Sequence, residues 1–146
     1  MSRINLQQGF DLYRKDTYDM PREKYQKEKK RLWVSTRCTY WCPFTSLNYR
    51  TAEEKSRLAQ HRRRERAMFR LLIPFLLEVL EQDDTVELFW EWPTRCYGWE
   101  DAEFLRLVRG LQCLGRDWNY GRVDGCRYGL KSAQGRFLRK SWSIGT

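Results

Sequence analysis

Two short apolar runs bracket one long helical pattern, and this arrangement constrains the fold more than any other feature of the chain. The runs are Leu32-Trp33-Val34 and Val86-Glu87-Leu88-Phe89-Trp90, and the helical pattern extends from Thr51 to Gln82. Thr51 followed three residues later by Glu54 makes a capping box, in which two side chains satisfy backbone N–H groups at a helix start. Leu58, Met68, Phe69, Leu72, Phe75, Leu76 and Val79 share one side of the helical wheel, while Arg62, Arg63, Arg66 and Arg70 crowd another. Pro74 predicts a kink or a split, because proline removes a helical hydrogen bond. Asp83-Asp84 ends the pattern.

Arg31 to Ser35 therefore reads as a buried strand and Val86 to Trp90 as the next one. Trp99 to Leu111 reads as a helix with Phe104, Leu105, Val108 and Leu111 on one side and Gly115 at its exit. Tyr120 to Ile144 has the pattern of a β-hairpin, with Gln134-Gly135 at the turn, Val123 and Tyr128 on one arm and Phe137 and Trp142 on the other. Pro21 to Lys30 predicts a short solvated helix. Strands alternating with helices predict an α/β fold: a mostly parallel sheet flanked by helices, with a C-terminal antiparallel β-hairpin. A chain of 146 residues fits one such domain. Ligands in these sheets bind beyond the carboxyl ends of the strands. Cys38 and Glu91 each fall just past a predicted strand end, so their chemistry is expected to face the same edge.

Charge narrows the partners. Lys and Arg number 28 against 19 Asp and Glu, a formal net charge of +9. Such an excess favours an anionic partner, most often nucleic acid. Arg62, Arg66 and Arg70, spaced by four, repel one another on a helix unless an anion neutralises them. Together with Arg63 and Arg37 they are the expected phosphate contacts. No apolar run approaches the roughly 18 residues of a membrane span, and the first residues lack the apolar region of a secretory leader. No membrane association is expected, and the expected setting is cytosolic or nuclear. The five cysteines are an odd set without a secretory context, which argues against a disulfide framework. Cys38 and Cys42 lie close together, but His61 is the only histidine and no second close pair exists, so no metal site is expected. Trp33, Phe89 and Trp90 are expected in the core. Tyr40, Trp41, Trp92, Tyr97 and Trp99 are expected in loops at the open sheet edge, where rings stack on bases.

The order strand, Cys38 loop, Arg-rich helix, strand, Glu91-Trp92-Pro93 turn resembles the central part of cytosine-5 DNA methyltransferases. Asp124-Gly125-Cys126-Arg127-Tyr128-Gly129 and Lys140-Ser141-Trp142-Ser143-Ile144-Gly145-Thr146 look like the strand pair that follows in phage-type and retroelement-associated relatives. The resemblance is one of motif order over roughly residues 9 to 146, and it extends to the methyltransferase-like domain of some mobile-element polyproteins. It implies a Rossmann-like fold in which the Cys38 thiolate attacks cytosine C6 and the Glu91 carboxyl meets N3. The target base would first be flipped out of its duplex. Arg37 beside Cys38 is expected to lower the thiol pKa.

The chain also departs from that pattern. Arg37 stands where the family has proline before the nucleophile, and Trp92 stands where it has Asn in the Glu turn. The Gly-rich strand-to-helix turn that contacts S-adenosylmethionine in the family has no counterpart. The resemblance thus implies a domain incomplete at its N-terminus that binds no S-adenosylmethionine alone, the missing half coming from a partner chain or a longer polyprotein. The expected function is a degenerate methyltransferase-like nucleic-acid-binding domain. The alternatives are an active split S-adenosylmethionine-dependent DNA (cytosine-5) methyltransferase subunit and a non-enzymatic structural or interaction module of a mobile element or virus.

Overall fold

Strand β1, Arg31–Val34, opens the main body of the computed structural model, which describes residues 11–19 and 31–146. The segment from Pro21 to Lys30 lies outside the described residues. A loop and one helical turn, α1 at Thr45–Asn48, lead into α2, Ala52–Gln82. Strand β2 follows at Glu87–Pro93, helix α3 at Ala102–Cys113, and strands β3 at Tyr120–Asp124 and β4 at Ser141–Gly145. Short 3-10 turns precede α3 at Tyr97–Glu100 and follow β3 at Gly125–Tyr128. A further one, Lys15–Asp19, packs on α2 through Tyr18, whose ring meets Phe75 edge-on at 5.6 Å.

The α2 boundaries come from local chemistry. Glu54 N–H donates to Thr51 Oγ1 at 3.1 Å while Thr51 N–H donates to Glu54 Oε2 at 2.9 Å, completing the capping box. Asp83 caps the far end. Arg116 adds a second cap there that sequence periodicity does not reveal. Its guanidinium donates to the carbonyls of Leu80 at 2.8 Å, Asp83 at 3.1 Å and Val86 at 2.6 Å. A cation on the last carbonyls of a helix complements its dipole. Pro74 neither splits nor ends the helix, contrary to expectation. Pro74 is exposed, while Leu72, Ile73 and Leu76 on either side are buried and hold both halves in place.

The sheet order is β1-β2-β4-β3. β1 and β2 run parallel across the α2 crossover, as an α/β reading requires. β4 is antiparallel to both β2 and β3, so the sheet is mixed rather than mostly parallel. The C-terminal hairpin supplies half of the strands, and its second arm inserts beside β2. The hairpin strands are short, and the intervening segment, 125–140, holds a 3-10 turn, an isolated bridge between Lys131 and Phe137 and backbone hydrogen bonds such as Gly125 N–H to the Lys140 carbonyl at 2.8 Å. Tyr128 thus lies in the 3-10 turn after β3, and Phe137 pairs only through this isolated bridge.

Residues opposite one another in a sheet share a face. Leu88, Trp90 and Trp92 alternate onto one side of β2 and are buried, with Trp90 fully so at 0% exposure. They pack with Phe69, Leu72 and Leu76 of α2 and with Phe104, Leu107 and Leu111 of α3 in a single cluster. Both long helices therefore cover the same sheet face, and among the described residues none covers the other. The rings in the cluster meet edge-on: Trp90 with Trp92 at 5.1 Å, Trp90 with Phe104 at 5.3 Å and Trp92 with Trp99 at 5.1 Å. Each such pair contributes about 0.5–1.5 kcal/mol beyond burial. Gly145 belongs to the same face, because any Cβ there would lie 2.1 Å from the Trp118 ring. No helix among the described residues is long and apolar enough to cross a membrane.

Candidate functional site

The Cys38 loop is fastened to the carboxyl end of the sheet from the side. Trp92 Nε1 donates to both the carbonyl and the hydroxyl of Thr36 at 3.1 Å, and Tyr97 N–H donates to the Trp41 carbonyl at 2.7 Å. These bonds bury Trp41 and Trp92 in the core, where the sequence pattern placed both in open loops. Cys38 is half-buried and packs against that core. Glu91 lies within β2, not in a turn after it, because pairing with Ile144 of β4 extends the strand through Pro93. Trp90 and Trp92 face the helices, so alternation turns Glu91 to the opposite side of the sheet.

The surroundings of Cys38 raise its thiol pKa. Burial pushes the thiol up, Cys42 and Glu91 push it further, and Lys140 pulls it back only in part. Cys38, Glu91 and Lys140 thus share one neighbourhood, but its net effect keeps the thiol protonated. On balance the thiol pKa is raised, contrary to the lowering expected from Arg37 beside it. The deeper Cys96 is pushed up to about 12, chiefly by burial. A thiol displaced in this direction is a poor nucleophile, since reactivity belongs to the thiolate. The loop after β1 contains no glycine, and Thr36 within it is engaged by the Trp92 indole. Among the described residues, no three His, Cys, Asp or Glu side chains converge as metal ligands.

Two of the three arginines in the row are neutralised from within. Arg66 pairs with Asp101 at 2.8 Å and Arg70 with Glu103 at 2.6 Å, both acids being at the start of α3. Glu103 also receives Arg106 at 2.9 Å. Burial raises the Glu103 pKa, but the two guanidiniums outweigh it and hold the carboxyl below its usual range. Arg62 donates to the Tyr40 carbonyl at 2.9 Å and lies over the Trp41 ring at 5.1 Å, with Arg66 over the same ring at 5.3 Å. The row therefore ties α2 to α3 and to the Cys38 loop. Of the five expected phosphate contacts, Arg37 and Arg63 are exposed and have no ion pair among the described residues.

The uncovered sheet face carries rings of its own. Trp33, expected in the core, is 44% exposed there and stacks on Phe89 at 5.6 Å with an interplanar angle of 20°. β1 is an edge strand, and Trp33 alternates away from the helices. Farther along, Pro93, Trp142 and Val123 share the face by register, and Lys140 Nζ lies 4.9 Å from the Trp142 ring centre. Beyond Val123, at the end of β3, a cavity of about 320 Å³ is lined by Arg122, Val123, Asp124, Arg127, Tyr128 and Arg139. Spacing along the sequence missed this group. Its only local signal is the density of Arg, Tyr and Gly after Tyr120. Compared with known protein families, curated proteins and solved structures, the chain matches none of them.

Proposed function

We propose that the chain is a methyltransferase-like half-domain that binds single-stranded nucleic acid across the uncovered face of its sheet and performs no methyl transfer by itself. The observation that carries this reading is the Trp33–Phe89 pair, two rings on adjacent strands stacked within 20° of parallel, with Trp33 44% exposed and Phe89 half-buried beneath it. Rings presented this way stack on bases of any sequence, and a cationic surround follows the backbone. Lys140 beside Trp142 is a cation of this face, where Arg31 is paired with Glu87, and the chain's net charge of +9 favours an anionic partner in general. The order β1, α2, β2, α3, β3, β4, with the last strand reversed beside β2, supports the Rossmann-like reading of the portion that follows a donor-binding half.

Anisotropy of a short labelled single strand tests the reading. Trp33→Ala is expected to weaken binding about 5- to 150-fold, the equivalent of about 1–3 kcal/mol for one stacked base. Affinity is expected to fall steeply with added salt. Absence of saturable binding, or binding that ignores Trp33→Ala, would remove the proposal.

A further inference from the structure

The cavity at the end of β3 holds three guanidiniums and one carboxylate. That carboxylate is already satisfied: Asp124 accepts from Arg122 at 3.2 Å and from the Ser141 hydroxyl. Its pKa is lowered, first by the Ser141 hydrogen bond and also by the charges of Arg122 and Arg139. Neither Arg127 nor Arg139 hydrogen-bonds or ion-pairs with a carboxylate among the described residues. Once Arg122 and Asp124 cancel, two positive charges face the cavity unopposed. Beside them Tyr128 is 78% exposed, a large ring left in solvent with no packing role.

We propose that this cavity binds a phosphate monoester attached to a stackable base, in particular the terminal phosphate of a strand lying across the sheet face. The charge count separates a terminal phosphate from an internal one. A monoester carries about −1.5 to −2 at neutral pH, which matches the two unopposed guanidiniums, whereas each backbone diester brings a single charge. Guanidinium forks recognise phosphate oxygens through paired charge-assisted hydrogen bonds. Tyr128 supplies the face for the terminal base. A volume of about 320 Å³ accommodates a small ligand of nucleotide class. Val123 lines the cavity and lies on the uncovered sheet face by register, while Arg122 and Asp124 alternate to the other side, so the cavity lies at the β3 edge where the two sides meet. This inference rests on the single-strand reading above, and it adds an end preference that the reading does not require.

Two internally labelled oligonucleotides of one sequence, with phosphate or hydroxyl termini, provide the test. The phosphorylated strand is expected to bind at least about tenfold more tightly, and Arg127→Ala with Arg139→Ala is expected to erase that difference, bringing both strands to one affinity. Neither arginine makes a hydrogen bond or ion pair among the described residues, so the double variant is expected to fold, with circular dichroism as the check. Tyr128→Ala is expected to reduce the same preference. Equal affinities for the two strands, with Trp33 dependence intact, would overturn the terminal site and leave the sheet-face function standing. If neither strand binds, the sheet-face function fails, and adenosine monophosphate becomes the probe. Its binding to the wild type and loss in the double variant would sustain the cavity as a free-nucleotide site, and no binding would overturn it.

Discussion

Arg66 joins three parts of the molecule, since it lies over Trp41, pairs with Asp101 and sits in the middle of α2. Asp101 is buried and also caps α3 by accepting from Glu103 N–H at 3.1 Å. Arg66→Glu would oppose a second carboxylate to this one. It is expected to cost about 3 kcal/mol, the lower end for a broken buried pair because Arg66 itself is partly exposed. Arg63→Glu, at an exposed position, is expected to stay within about 0.5 kcal/mol. Urea unfolding midpoints of the two variants would check the contrast, and equal midpoints would contradict it. The same geometry means that charge reversal at Arg66 reports on folding before it reports on any nucleic-acid contact. The repulsion in the arginine row was legible from its four-residue spacing. The identity of the neutralising anion was not, because Asp101 and Glu103 lie 35 and 33 residues away and arrive only when α3 packs.

At the scale of elements, α2 tolerates a proline that costs a helix interior about 3 kcal/mol. Pro74 is exposed, so the carbonyl it leaves without a donor, that of Arg70, belongs to a residue on the solvent side. Pro74→Ala is accordingly expected to stabilise the protein by about 1–3 kcal/mol, raising Tm by several degrees at about 2–4 °C per kcal/mol. A lower Tm in thermal melts would show instead that the proline shapes the packing of α2 on the sheet. The ends of α2 were readable because Thr51, Glu54 and Asp83 act within a few residues of themselves. The end of β2 was not, since Glu91 to Pro93 become strand only through partners on β4. Nor did the run Leu32-Trp33-Val34 reveal which side faces the core. All three residues are apolar, so alternation carries no sign there, and the placement of α2 and α3 decides that Trp33 is left out.

For the molecule as a whole, stability is expected to have both an acid and an alkaline limb. Glu103 titrates below its usual 4.5 in the folded chain, so its contribution is present above that pH and is lost as pH falls through the lowered value. Cys96 and Tyr13 are both raised to about 12, from 9.0 and 10.0, by burial in each case, with a hydrogen bond to Glu65 adding to the effect at Tyr13. Raised pKa values favour the protonated folded state, so these contributions are complete below pH 9 and disappear as pH climbs toward 12. Melting temperatures across the pH range are expected to form a plateau from about pH 5 to 9 with losses on both sides. A decline that begins on the alkaline side well below pH 9 would contradict this assignment. The insertion of β4 between β2 and β3 carries a consequence for the newborn chain. On the ribosome β2 emerges well before its second neighbour, and at about 5–20 residues per second the wait lasts several seconds. During that interval the inner edge of β2 stands unpaired beside a tryptophan-rich face, an invitation to chaperones and to neighbouring nascent chains alike.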